Sequence, residues 1–365
     1  MENSDKIKRV VIAGGGTGGH IYPGIAIAQS LQKASPHIEV QFVGSPAGME
    51  SKIVPKSGFP LSLISVGKLN VPLLQKIKTL MMMPFSLFQS LLLLFRLRPS
   101  FVLGVGGYAS GPFVMIASLC GVKTGLWEPN AFPGMANRIL QKFVKRVFVV
   151  FPESAKYFSR EDVTAVGLPV RAQMQARPHE PLAGRHFRVL IFGGSQGARA
   201  INNVVRDALM TDRSWYGDID FVHQIGNADF AGIESAYQKL GTIAANVSYF
   251  RYLDDMEARY AWADLVICRG GISTLSELAA CQRASVIVPL PSAADNHQQK
   301  NAETLVNANA AKMILQKDFN PDSFRKIILE FKSHPEKIVE MEKNVRQFYR
   351  PNAAEEISKM IVGEL

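Results

Sequence analysis

The sequence predicts an α/β protein made of two doubly wound, Rossmann-like units. Three observations carry that expectation. The apolar run Val10-Val11-Ile12-Ala13 leads directly into Gly14-Gly15-Gly16-Thr17-Gly18-Gly19-His20, and Pro23 to Leu31 follows with helical character. The same strand, glycine loop and helix restart much later, at Val189-Leu190-Ile191-Phe192 and Gly193-Gly194-Ser195-Gln196-Gly197-Ala198. A chain of 365 residues with 47% hydrophobic content is also long enough for two cores.

Each further element extends the pattern. Val40 to Gly44 reads as a second strand, and strand–helix–strand order implies a parallel sheet with right-handed crossovers. Leu73 to Pro99 is the most apolar stretch. Its centre, Leu80 to Phe95, holds Met81-Met82-Met83 and Leu91 to Leu94 between Lys76, Lys78 and Arg96, Arg98. Pro84, Ser86, Gln89 and Ser90 interrupt it short of the roughly 20 apolar residues a transmembrane helix needs. Two readings stay open there: a helix buried against the sheet, and an in-plane contact with an anionic membrane face.

Phe101 to Val105 is a strand that runs into a third glycine loop, Gly106-Gly107-Tyr108-Ala109-Ser110-Gly111-Pro112. Lys123 to Trp127 is another, followed by Glu128-Pro129-Asn130, and Arg146 to Phe151 and Val163 to Val166 complete the first unit. Strands of the second unit are expected at Arg188–Phe192, Phe221–Gln224, Val247–Phe250, Leu265–Cys268 and Ser285–Val288, with His223 a core or edge residue. The tail from Phe319 is helical by pattern, broken at Pro335 and Pro351. The expected organisation is an N-terminal domain at 1–170, a Pro-, Arg- and His-rich linker at 171–187, and a C-terminal domain at 188–345. A last helix at 346–365 is placed to pack back on the N-terminal domain.

Composition narrows the partners. A net charge of +10, from 41 Lys+Arg against 31 Asp+Glu, favours anions: nucleic acid, a membrane face or phosphorylated small molecules. No RNP motif, zinc-finger spacing or aromatic-interleaved basic patch is present, which sets nucleic acid aside. Cys120, Cys268 and Cys281 lack metal-ligand spacing and cannot all pair, so they read as structural thiols in a reduced compartment. Met1 to Arg9 has no apolar core of a secretory signal.

Backbone N–H groups at a strand–glycine–helix junction favour a phosphate, and His20 can move a proton near neutral pH. Gly14 to Gly19 matches the dinucleotide spacing, yet Val43-Gly44-Ser45 ends the second strand without the acidic residue that would hold an NAD ribose. Neither main loop is a P-loop. Cys268 to Glu277 joins a strand to a helix start, where amides suit a phosphate and Glu277 suits ribose hydroxyls. Asp295-Asn296-His297-Gln298-Gln299 reads either as a sugar-recognition cluster or as a helix N-terminus capped by Asp295.

Together, Gly16-Thr17-Gly18-Gly19-His20, Gly106-Gly107-Tyr108, Glu128-Pro129-Asn130, Gly193 to Ala198 and Asp295-Asn296-His297-Gln298 stand in the order found in one family. From about residue 8 to about residue 310 the chain resembles the MurG family, bacterial glycosyltransferases of peptidoglycan synthesis. The resemblance implies a GT-B fold: two Rossmann-like doubly wound domains with an interdomain cleft. It implies an inverting hexosyltransferase that moves GlcNAc from UDP-GlcNAc to the C4 hydroxyl of MurNAc in lipid I (undecaprenyl-diphospho-MurNAc-pentapeptide), giving lipid II. It implies no cofactor and no metal. The implied setting is peripheral, on the cytoplasmic side of the bacterial inner membrane. UDP-GlcNAc, lipid I and the anionic membrane face are then partners, other cell-wall synthesis proteins are admitted, and nucleic acid is not.

Position by position, the resemblance makes His20 the general base. It puts Thr17, Gly18, Gly19, Asn130 and Gln298 on GlcNAc, Arg171 and Ser195 on the UDP phosphates, and Leu253 on uracil. Ile272, Ser273, Thr274, Leu275, Ser276 and Glu277 would hold nucleotide and sugar, with Glu277 on ribose; Gly106, Gly107, Tyr108 and Glu128 would lie on the acceptor side. Two positions depart from the family pattern: Trp127 stands where a histidine is common, and Gly270 where a serine is. The competing readings are a GT-B transferase for another lipid acceptor such as diacylglycerol, an NAD-dependent Rossmann oxidoreductase, and a non-catalytic membrane scaffold.

Overall fold

The computed structural model describes residues 7–67, 73–170, 174–176, 184–194, 196–212, 214–239 and 246–365, the side chains of 73–78 and 80 excepted. Arg171, Ser195, the side chains of Lys76 and Lys78, and much of the expected linker lie outside the described residues. The chain divides into two compact units, Met1–Arg171 with Arg350–Leu365, and Ala172–Tyr349.

The first unit is built on strands β1 (Lys8–Gly14), β2 (Ile38–Gly44), β3 (Leu61–Leu63), β4 (Phe101–Gly106), β5 (Lys123–Glu128), β6 (Arg146–Val149) and β7 (Val163–Ala165). They form one sheet in the order β3-β2-β1-β4-β5-β6-β7, and the pairings are parallel. Unbroken apolar runs explain this, because a parallel sheet is covered on both faces and Val10, Val11, Ile12 and Ala13 are all fully buried. Helices α1 (Gly18–Ala34), α2 (Glu50–Lys56), α3 (Leu73–Leu97), α4 (Ser110–Leu119) and α5 (Met135–Leu140) connect them. Val11, Val102, Phe113, Val114, Leu126 and Val147 sit at the centre of one core.

Helix α1 starts earlier than the sequence predicts. The amides of His20 and Ile21 both donate to the Thr17 carbonyl, so His20 belongs to the first helical turn rather than to the loop. Helix α3 is buried along one side and leaves an apolar side exposed. Its polar residues point inward: Ser86 Oγ donates to the Ser65 carbonyl, Gln89 Oε1 accepts from the Ser65 amide, and Ser90 Oγ donates to the Ser86 carbonyl. Leu94 and Leu97 enter the core, whereas Met81, Phe85, Phe88, Leu92 and Phe95 face outward at 53–78% exposure. No helix among the searched residues is long and apolar enough to cross a membrane.

The second unit contains β8 (Phe187–Phe192), β9 (Ile219–Gln224), β10 (Val247–Phe250), β11 (Leu265–Cys268), β12 (Ser285–Ile287) and β13 (Lys312–Met313), in the parallel order β10-β9-β8-β11-β12-β13. Helices α6 (Arg199–Thr211), α7 (Phe230–Gln238), α8 (Met256–Trp262), α9 (Ile272–Cys281) and α10 (His297–Asn307) alternate with them, and α11 (Pro321–Ser333) and α12 (Pro335–Val345) follow. Trp215, Tyr216, Phe221 and Phe324 form an edge-to-face aromatic cluster in its core. His223 is fully buried, bonded to the Tyr237 hydroxyl at 2.8 Å and to Asn202 Oδ1 at 3.1 Å, and burial pushes its imidazole down to about 3. It is therefore a neutral core histidine. Cys268 and Cys281 are buried thiols, and Cys120 is exposed.

The final helix, α13 (Ala353–Val362), belongs to the first unit and packs on α1. Glu364 then pairs with Lys145 at 2.7 Å and with Arg146 at 2.8 Å, beside the N-terminal ends of β5 and β6. Strands β3 and β13, of three and two residues, are too short to show a period and were not expected from sequence.

Candidate functional site

In an open parallel sheet, ligands gather beyond the strand C-termini where the strand order reverses. In the first unit that point lies between β1 and β4, and in the second between β8 and β11. All four strands end in glycine loops picked out from the sequence: Gly14–Gly19, Gly106–Gly107, Gly193–Ala198 and Gly270–Gly271.

In the first unit the two loops interlock backbone to backbone. The Gly15 amide donates to the Gly106 carbonyl at 3.1 Å. A Cβ at Gly107 would fall 2.2 Å from the Gly15 carbonyl oxygen, and one at Gly106 would fall 2.7 Å from the His20 imidazole. Only glycines let β4 end this close to the first loop, and the result is a histidine ring laid against Gly106. Thr17 is the exposed N-cap residue of α1 with no side-chain cap, so the amides of Gly18 and Gly19 are left for an outside acceptor. Tyr108, next in the chain after Gly107, is exposed.

Next along the same edge, β5 ends in Glu128. Its carboxylate is buried and saturated: Oε1 accepts from the Asn130 amide (2.9 Å) and side chain (3.1 Å), and Oε2 accepts from the Gly134 amide (3.0 Å) and Asn137 Nδ2 (2.9 Å). Burial pushes this carboxyl above its ordinary value, against the pull of those donors. Glu128 thus shapes the loop and aims half-buried Asn130; it does not itself reach solvent. Trp127 is fully buried, so the departure at this position fills core rather than a binding surface.

In the second unit the loops line a cavity of about 370 Å³, bordered by Gly193, Gly197, Ala198, Arg199, Arg269 and Gln298 among others. The first turn of α6, uncapped by any side chain, opens into it. Arg269 is 7% exposed and donates to the carbonyls of Val288 and Pro289 and to Gln316 Oε1. Among the described residues no carboxylate pairs with it, and burial lowers its guanidinium from the ordinary value. A buried cation without a counter-ion is costly, and an anion in the cavity would relieve that cost. Arg199, at the rim, is held by Asp229 at 2.8 Å. The sequence reading missed both arginines as site residues.

Gln298 lines the same cavity, and its Oε1 accepts from the Leu290 amide at 3.0 Å. The close contact of Gly270 with the Gln298 backbone, where a Cβ would sit at 2.4 Å, leaves little room for the serine common at that position. On α9, Ile272, Leu275 and Ser276 are buried, so any ligand contact from them comes from the backbone at the helix start. Glu277 is half-buried, and its Oε2 accepts from the hydroxyl of Tyr260 at 3.0 Å. Burial holds the Tyr260 phenol well above its ordinary value, which keeps it a donor. Leu253 is buried just after β10, and neither it nor Glu277 borders the cavity. Asp295 does not cap α10; the N-cap position is Asn296, and both residues take left-handed conformations. Among the described residues no cluster of His, Cys, Asp or Glu could hold a metal ion.

Two doubly wound units in tandem, each with glycine loops at its switch point and one with a cation-lined cavity, have the architecture of the GT-B fold. The comparisons with known proteins agree. Residues 10–149 match the glycosyltransferase family 28 N-terminal domain, and residues 188–357 match the family 28 C-terminal domain. The chain belongs to glycosyltransferase family 28. It is 50% identical, over 97% of its length and 99% of the relative's, to the UDP-N-acetylglucosamine–N-acetylmuramyl-(pentapeptide) pyrophosphoryl-undecaprenol N-acetylglucosamine transferase of Bdellovibrio bacteriovorus. It is 41% identical to the protein of the same name from Myxococcus xanthus, covering 97% of this chain and 92% of that one. The crystal structure of Acinetobacter baumannii MurG superposes with a TM-score of 0.80 at 29% identity, covering 98% of this chain and 99% of that one.

Proposed function

We propose that this chain transfers N-acetylglucosamine from UDP-GlcNAc to the C4 hydroxyl of MurNAc in undecaprenyl-diphospho-MurNAc-pentapeptide, giving lipid II with inversion at the anomeric carbon. The observation that carries this reading is the full-length likeness to relatives that bear the name of that transferase. The geometry fits it. His20, on the first turn of α1, takes the proton of the acceptor hydroxyl as its oxygen attacks C1 of the sugar. The bond from C1 to the diphosphate oxygen breaks, and UDP departs with the electron pair. Arg269 and the uncapped start of α6 stabilise the charge that develops on it. Glu277, held by Tyr260, receives the ribose hydroxyls, while Asn130, aimed by Glu128, and Gln298 bind the sugar. The test is a transfer assay with radiolabelled UDP-GlcNAc and a lipid I analogue. Label moves to the lipid if the reading is right; no transfer by a protein that still binds UDP would sink it.

The acceptor is a lipid, and α3 supplies a surface to match. Met81, Phe85, Phe88, Leu92 and Phe95 recur at helical spacing on its outward face, next to exposed Arg96 and Arg98. We place this face on the anionic cytoplasmic leaflet, with the protein peripheral to it. Replacing the five outward residues by serine should abolish flotation with anionic vesicles while leaving UDP binding intact. Undiminished flotation would remove α3 from the contact.

A further inference from the structure

One buried carboxylate has no part in the scheme above. Glu50, the first residue of α2, is 1% exposed and lies beneath the first glycine loop. Its Oε2 accepts from the Gly16 amide at 2.7 Å, and its Oε1 accepts from both the amide and the hydroxyl of Ser45 at 2.9 Å. The chain makes room for it. A Cβ at Gly15 would fall 2.3 Å from its carboxyl carbon, and one at Gly48 would fall 2.0 Å from its Oε2. Three segments therefore close around a single carboxylate: the loop after β1, the exit of β2 and the turn before α2.

The consequences run toward His20. Burying a carboxylate is tolerable only where donors meet its oxygens, and here they are the loop's own N–H and the Ser45 pair. The Gly16 amide is spent inward, so it is not offered to a phosphate, and Gly16 itself faces open space. The loop is gripped by Glu50 at Gly16 and by β4 at Gly15, whose partner Gly106 carries the His20 ring. We propose that Glu50 is a positioning residue for the transfer reaction. It sets the first glycine loop, and through the interlocked Gly15–Gly106 contact it sets the seat of His20. The kinetic part of this inference rests on the transferase reading above; the structural part does not.

Glu50→Gln is the informative variant. The amide oxygen can keep the Ser45 contacts, but the amide nitrogen then faces the Gly16 N–H, donor against donor. Two quantities are read: hydrogen exchange at the amides of residues 14–20, and kcat with UDP affinity measured alongside. Exchange should accelerate at least about 10-fold and kcat should fall at least about 10-fold, with UDP affinity within about twofold of wild type, since UDP sits on the other unit. Unchanged exchange, or kcat within twofold of wild type, would overturn the proposal. If Glu50→Gln does not fold, Ser45→Ala deletes one contact to the same carboxylate. It should give smaller changes in the same direction, and no change in either quantity overturns the proposal. An inactive wild type would instead fault the transferase reading, and exchange alone would then decide the role of Glu50.

Discussion

The ligand-facing edges of the two units share a frame and differ in sign. On the first unit this edge is organised from within by carboxylates, Glu50 under the β1 glycine loop and Glu128 under the chain that follows β5. On the second, the corresponding edge presents a buried arginine without a carboxylate partner among the described residues, a second arginine at the rim and the side-chain amide of Gln298. Strand, glycine loop and helix start are alike in both. What differs is the charged group buried at the edge. A carboxylate beneath a loop consumes its N–H groups and disfavours an added anion, whereas an uncompensated guanidinium invites one. A glycine loop by itself thus does not say diphosphate; the side chain packed against it does. On the function proposed above, the nucleotide diphosphate belongs with the second unit and the proton chemistry with the first.

The largest effect that would test this division is at His20. Loss of a positioned base typically costs about 10²–10⁴-fold in rate, so His20→Ala should lower kcat by that range with the donor KM little changed. Steady-state kinetics that showed a kcat near wild type would take the base away from the first unit. Next is Arg269→Gln, which keeps a donor for the Val288 and Pro289 carbonyls but removes the charge. A charge-assisted contact of about 1.5–3 kcal/mol corresponds to UDP binding weakened roughly 10- to 100-fold, at unchanged circular dichroism.

The smallest effect lies away from both edges, where Glu364 fastens the C-terminal helix. Hydrogen bonds from Lys145 and Arg146 hold its carboxyl down at about 2, below the ordinary 4.5. A carboxyl lowered in the folded state stabilises above its unfolded pKa, and that contribution drains away as pH falls from about 4.5 toward 2. Glu364→Gln should therefore melt about 2–4 °C below wild type at pH 6, and the gap should narrow on acidification and close toward pH 2. Neither UDP binding nor kcat should move, which separates this fastening from the two functional edges.

The frame was legible in the sequence because its signals are local. Short β-branched apolar runs such as Val10–Ala13 and Val189–Phe192, each closed by glycine, read as buried strands, and the glycines after them mark where backbone approaches backbone. The switch-point loops followed directly. The groups that distinguish the two edges were harder to see. An acid was sought at the Val43-Gly44-Ser45 strand end, as a dinucleotide site requires, and none was there; Glu50 reaches the loop from the next helix and binds it by backbone amides that leave no sequence pattern. Arg269 was noted as part of a motif, but its burial without a carboxylate follows from the packing of β12 and the chain beyond it. On α3 the outward apolar spacing was present in the sequence. Which face turns outward was decided by Ser86, Gln89 and Ser90 bonding inward, against the usual direction of amphipathicity. His20 was placed in the loop and belongs to the helix, since glycines at 18 and 19 read as loop but here begin α1.

The division between the two edges is tested most directly by titrating UDP, in a calorimeter, into wild type, His20→Ala and Arg269→Gln. His20→Ala should bind UDP within about twofold of wild type, while Arg269→Gln should lose at least about 10-fold. Equal losses in the two variants, or a loss at His20 with none at Arg269, would contradict that division.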